Sequence, residues 1–212
     1  FTDRRKGSSL GVYESLNFGF HVGDDVSAVT ANRLMLGNAQ FMNQVHGNEV
    51  VVIDRVLDQE PTCDAMITAT SGVSLVVMVA DCIPLLLISK KAVAAVHVGR
   101  AGLINKVAIK ALSVMKELGA IDVHAILGPT ICGRCYEVPL KMQQEVIADH
   151  PAALSTTRIG TPALDLSAAI VAELVAEGVS YEASPICTLE DPLYYSYRRD
   201  NQTGRFAGVV SL

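Results

Sequence analysis

Residues 79–102 read VADCIPLLLISKKAVAAVHVGRAG, and the way this stretch folds decides the rest. Two apolar runs, Pro84 to Ile88 and Ala92 to Val96, flank the polar turn Ser89-Lys90-Lys91. Runs of this length with so short a connection are expected to pair as neighbouring strands. Cys82 lies just before the first run and His97 just after the second, so pairing brings both side chains to one end of the hairpin. Asp81 stands beside the cysteine, and Gly99 and Gly102 follow the histidine. Reactive residues at the ends of rigid strands are a common way of mounting a site on a scaffold.

On the amino-terminal side, Val73 to Val79 is an unbroken apolar run opened by Gly72, the pattern of a strand covered on both faces. Cys63 to Thr68 and Glu49 to Ile53 read as further short strands, the second from its β-branched content, with Gly47-Asn48 as the turn that feeds it. His46, between Val45 and Gly47 and close to Gln44, therefore sits at the mouth of a strand. Val26, Val29, Arg33 and Leu36 form a weak helical stripe with Asp24 or Asp25 available as its cap. Residues 1–20 hold no sustained period; Arg4 and Asn17 are the polar side chains there best suited to meet a ligand, and a solvated arm is the plainer alternative.

On the carboxy-terminal side, Leu103, Val107, Ala111, Val114 or Met115, and Leu118 mark one face of a helix stopped by Gly119. The glycines before it leave open backbone N–H groups beside His97. Val123 to Leu127 reads as a strand, Val138 to Ala148 and Thr161 to Val175 as helices, and Phe206 to Leu212 as a final strand after an extended segment and polar turn. Cys132-x-x-Cys135 suits a redox pair or half a zinc site. No second Cys-x-x-Cys completes such a site, and packing near the functional residues is the plainer use. Arg198, Arg199 and Arg205, among serine and tyrosine hydroxyls, suit a phosphate clamp or a salt-bridged surface hairpin. Strands that alternate with helices but include strand-to-strand steps imply a mixed-sheet α/β (α+β) domain.

The chain has 212 residues, half of them apolar, and no polar linker, which fits one domain over 1–212. Its apolar runs are too short to span a bilayer, and no basic-apolar leader opens it, so neither membrane insertion nor secretion is expected, although residue 1 is not methionine. The formal charge is −5 with the basic residues scattered, which argues against a nucleic-acid partner. Five dispersed cysteines do not form a disulfide framework and point to a reducing, cytoplasmic setting. Dinucleotide, Walker-type and Gly-x-Ser-x-Gly loops are absent.

Taken together, His46, Cys82 and His97 offer two imidazole nitrogens and one thiolate. That set suits a tetrahedral zinc ion with a fourth position for water, and would also accept copper. Asp81 is placed to orient it from behind. The same residues serve equally well as a Cys82 nucleophile with His97 or His46 as base.

The chain resembles the multicopper polyphenol oxidase, or laccase-domain, family over nearly its whole length. The resemblance is carried by Arg4, Ser15-Leu16-Asn17, His21-Val22-Gly23-Asp24-Asp25, Gln44-Val45-His46-Gly47, Asp64-Ala65, Ala80-Asp81-Cys82, His97 with Gly99, Gly128-Pro129, Tyr136-Glu137-Val138, Cys187-Thr188 and Ser196-Tyr197-Arg198-Arg199 with Gly204-Arg205. It implies a layered sandwich of mixed sheets flanked by helices, akin to cysteine-deamidase toxins, with His46, Cys82 and His97 as ligands of a catalytic zinc. It further implies phosphorolysis of inosine, adenosine or methylthioadenosine to free base and ribose 1-phosphate, with adenosine deamination. Arg4, Asn17, Gln44, Arg198 and Arg205 fall on positions suited to substrate or phosphate, in a monomer or small homo-oligomer. One departure is local: the family continues its histidine as His-Ala-Gly-Trp-Arg-Gly, whereas this chain has His97-Val98-Gly99-Arg100-Ala101-Gly102, which removes an aromatic wall and moves the positive charge one place. Three alternatives stand beside that reading: a copper-dependent phenol oxidase, for which five histidines are few; a Cys82/His97 hydrolase or deamidase; and an inactive nucleoside-binding domain.

Overall fold

The two runs around Ser89-Lys90-Lys91 pair in the middle of a six-stranded sheet in the computed structural model, which describes residues 1–212. In chain order the strands are β1 (Ala39–Gln40), β2 (Val50–Val52), β3 (Ala65–Thr68), β4 (Ser74–Val79), β5 (Ile83–Ile88), β6 (Val93–Val98), β7 (His124–Leu127), β8 (Leu154–Thr156), β9 (Pro162–Leu164), β10 (Ser180–Ala183) and β11 (Phe206–Ser211). The helices are α1 (Val26–Leu34), α2 (Arg100–Ile104), α3 (Val107–Glu117), α4 (Leu140–Asp149), α5 (Leu166–Ala176) and α6 (Tyr197–Asp200). The large sheet runs β10-β7-β5-β6-β3-β2 and mixes parallel with antiparallel neighbours; a second sheet runs β1-β4-β11, and β8-β9 is a separate ribbon.

The period-2 alternation of β5 sorts its side chains into two cores. Ile83, Leu85 and Leu87 pack with Val107, Ala111 and Met115 of α3 and Ile170 and Leu174 of α5. Leu86, on the other face, meets the second sheet at Leu75, Val77 and Phe206. β4 is sandwiched in turn: Val77 and Val79 point to the first sheet while Val76 and Met78 lie under Phe18 and Phe41. The result is a mixed α+β domain in which helices cover one face of the large sheet and the smaller sheet covers the other. No helix is long and apolar enough to cross a membrane.

Three expectations are corrected, and one strand was not expected. The helix from Thr161 starts only at Leu166, because Pro162–Leu164 form β9 and Asp165 caps α5 by accepting the Ala168 N–H at 2.9 Å. The helix from Leu103 is two: α2 ends at Ile104, and Lys106 turns through φ 58° to begin α3. β10 escapes notice because all four of its residues are exposed at a sheet edge. The polar segment before Phe206 contains α6, capped by Ser196, which accepts the Arg199 N–H at 3.2 Å.

Candidate metal centre

The register of β5 and β6 sets His97 opposite Pro84, two places beyond Cys82. A third residue arrives from the 43–48 turn, where His46 takes φ 59°. Three backbone N–H groups of that turn, from Val45, His46 and Gly47, donate to the buried Asp64 carboxylate at 3.3, 3.0 and 2.6 Å. The ligand atoms of His46, Cys82 and His97 all lie within 4.8 Å of one another. Cys82 Sγ is 4.0 Å from His46 Nε2, and the two imidazoles meet edge to face at 4.6 Å between centroids. Gly99 makes room for them: a Cβ there would fall 3.1 Å from the Cys82 sulfur and 3.2 Å from His46 Cδ2.

Asp64 is the residue that sequence reasoning left out of the site. It joins the turn to His97, whose Nδ1 donates to its carboxylate at 2.8 Å and whose backbone N–H donates to its carbonyl at 2.8 Å. With Nδ1 committed, Nε2 is the nitrogen left to face the centre. Burial pushes the Asp64 carboxyl up, but the bonds from His97, Gly47 and Val45 outweigh it and hold it below 3.8. Burial likewise opposes both charged forms of the Cys82–His97 pair. Their mutual attraction, helped by His46 and Asp64, prevails and brings Cys82 down to about 6 and His97 up to about 9. Each charged form thus favours the other, Cys82 toward thiolate and His97 toward imidazolium.

The three side chains open onto a cavity of about 470 Å³ that is also lined by His21, Gln44, Met78, Arg100, Tyr136, Arg198 and Arg205. Tyr136 supplies an aromatic surface, with the Arg198 guanidinium 5.1 Å from its ring centroid. Arg100 opens α2; burial raises the Tyr136 pKa, and the charges of Arg100 and Arg198 offset this in part.

Other candidates are held by the protein itself. Asp81, at φ 93°, accepts from the Thr188 hydroxyl at 2.7 Å and the Arg198 N–H at 2.6 Å, so its carboxylate anchors the start of α6. Gln44 pairs with the Met78 backbone, donating at 2.7 Å and accepting at 2.8 Å. Asn17 is buried, donates to Asp24 and accepts the N–H groups of Gly19 and Arg205. Arg4 lies outside the cavity lining, 4.7 Å over the Tyr195 ring. Arg198 donates to the Glu137 carbonyl, and Arg205 to the carbonyls of Thr203 and Gly204. Arg198 and Arg205 both line the cavity while also holding backbone carbonyls, and Arg4 alone of the three lies outside it.

The sequence model of the family described as multi-copper polyphenol oxidoreductase laccase matches residues 1–212. A curated relative from Streptomyces coelicolor, 47% identical over all of this chain and 94% of its own length, is named a purine nucleoside phosphorylase. One from Deinococcus radiodurans bearing the same name is 37% identical over all of this chain and 88% of its own. A crystal structure from Neisseria meningitidis superposes with a TM-score of 0.91 at 34% identity, covering 100% of this chain and 92% of the other. YlmD from Geobacillus stearothermophilus superposes at 0.90 with 29% identity, covering 99% and 89%.

These findings correct the lead expectation. The family description is of copper proteins, and two imidazoles with one thiolate form the donor set of copper electron-transfer centres. The expectations of a zinc ion and of a zinc-dependent phosphorylase and adenosine deaminase are therefore withdrawn, the findings favouring a copper-binding, laccase-like site. On the same findings, a purine nucleoside with phosphate is withdrawn as its partner. By the match of the family model to the whole sequence, this chain belongs to the multi-copper polyphenol oxidoreductase laccase family.

Proposed function

We propose that the chain is a copper-dependent oxidoreductase of small phenols, with His46, Cys82 and His97 holding a single ion at the edge of the cavity. The observation that carries this is the convergence of the two imidazoles and the thiolate beside an aromatic, arginine-lined cavity. The donor set fits the ion: Cys82 is already biased toward thiolate, and Asp64 presents His97 Nε2. When bound, copper supplies one-electron exchange between a phenol and dioxygen. The protein's own part is recognition and proton handling. Tyr136 offers a face for an aromatic ring, and Arg100 and Arg198 favour the phenolate over the phenol. His21, kept toward the neutral form by burial and by the charges of Arg205 and Arg33, is the imidazole assigned to accept the phenol proton. The five free cysteines support a reducing, cytoplasmic setting.

The test is dioxygen consumption by copper-loaded protein with a phenol. Uptake should scale with bound copper and vanish in His97→Ala. No uptake by fully loaded protein, or phosphate-dependent release of base from a purine nucleoside by copper-free protein, would overturn the proposal.

A second reading has its own observation, the Cys82–His97–Asp64 alignment, with His97 Nδ1 at 2.8 Å from the carboxylate. A nucleophile, a base and an orienting acid in that relation suit a hydrolase or deamidase. An acyl group trapped on Cys82 in metal-free protein supports it; the absence of any adduct there removes it.

A further inference from the structure

The Cys-x-x-Cys that found no partner in the sequence has one in space. Cys132 and Cys135 face Cys187 and Glu190, and the four ligand atoms lie within 4.8 Å of one another. The two halves are built alike. Cys135 N–H donates to the Cys132 carbonyl at 2.9 Å, and Glu190 N–H donates to the Cys187 carbonyl at 3.1 Å. Each half is therefore a closed turn that presents its first and fourth side chains on one side, the arrangement of a structural zinc knuckle. A backbone bridge between Thr130 and Cys187 holds the turns together, with Thr188 N–H on the Thr130 carbonyl at 3.0 Å.

The surroundings suit an ion. Cys132 N–H points at the Cys187 sulfur at 3.3 Å, the kind of backbone donor that stabilises a ligating thiolate. Tetrahedral thiolates at about 2.3 Å from zinc lie about 3.8 Å apart, so the cluster needs only a small contraction. Three thiolates and a carboxylate around a dication leave an excess of negative charge, and Arg158 lies in an ion pair with Glu190. None of the cysteines is in a disulfide.

We infer that Cys132, Cys135, Cys187 and Glu190 form a structural zinc site, separate from the His46–Cys82–His97 centre. The site fastens the 128–138 loop to the segment that leads into α6. Both border the cavity: Ile131 N–H and the Thr130 hydroxyl bond the Asp81 carbonyl, and Arg199 binds the carbonyls of Thr188 and Leu189. An ion at the knuckles thus sets the position of the wall that carries Tyr136 and Arg198.

The experiment uses zinc alone. Protein carrying His46→Ala and His97→Ala, which disables the other cluster, should bind one zinc per chain. Adding Cys135→Ser or Glu190→Ala should weaken binding at least tenfold, and Glu190→Cys should restore it. In wild-type protein, zinc should slow alkylation of Cys132 and Cys135, read by peptide mapping, at least tenfold. Alkylation unchanged by zinc, binding indifferent to Cys135→Ser, or a disulfide among these cysteines in protein isolated under reducing conditions would overturn the inference.

Discussion

At the scale of single residues, the metal centre depends on two that are not ligands. Gly99 has an ordinary extended backbone, φ −91°, so alanine there is not strained; the added methyl only presses on the Cys82 sulfur and the His46 ring. Gly99→Ala should therefore leave the melting temperature nearly unchanged while weakening copper binding about tenfold, or ~1.4 kcal/mol. A copper titration beside a melting curve checks this, and an unaltered affinity would refute the crowding. Asp64→Asn acts through His97: the amide cannot enforce the tautomer, and loss of such a partner lowers metal affinity about 10- to 100-fold. Equal affinity in the variant and wild type would show that the carboxylate serves the turn alone. The convergence of His46, Cys82 and His97 was legible because strand ends carry sites and because imidazole and thiol are rare and reactive. Asp64 was not, since its role comes from N–H groups of residues 45–47 and an imidazole at position 97, brought together only by folding.

At the scale of elements, α5 carries a testable fault. Glu173, little exposed, lies 3.4 Å from His150 Nδ1, and its second carboxylate oxygen is buried without a hydrogen-bond partner. Burial raises its pKa above 4.5, opposed by the charge of Lys106. A carboxyl raised on folding binds more protons in the native than in the unfolded state between its two pKa values. Stability therefore falls as pH rises through that window, and the penalty is complete above the folded value. Glu173→Gln should remove this pH dependence and stabilise the protein at neutral pH by about 1 kcal/mol. Melting curves of both proteins across the acid range decide it; parallel profiles would rule out Glu173 as the source. Elements were legible wherever burial imposes a period: β4, β5 and α3 each place apolar residues on faces that meet a core. They were illegible where burial imposes none, as in the exposed β10, or where a local cap overrides periodicity, as Asp165 does between β9 and α5.

At the scale of the whole molecule, the proposed metal centre would be a cross-link between parts far apart in the chain. The hairpin of β5 and β6 supplies two ligands, and the 43–48 turn, anchored to β3 through Asp64 and to β4 through Gln44, supplies the third. The pairing of β4 with β11 could not be read from order along the chain, because it joins strands more than 100 residues apart. An ion that requires all three ligands binds the native state and not the unfolded one, so it stabilises by mass action: copper at 100 times its Kd contributes ~2.7 kcal/mol. For a chain of 212 residues that corresponds to a rise in melting temperature of about 5–11 °C. The measurement belongs in a Cys135→Ser background, so that the cysteine cluster does not contribute. His46→Ala should abolish the shift, because removing one ligand detaches the turn from the hairpin and leaves Cys82 and His97, which the β5–β6 pairing already holds together. A shift of the same size without His46 would mean that the ion stabilises only the hairpin, and that the turn is held by Asp64 whether or not metal is bound.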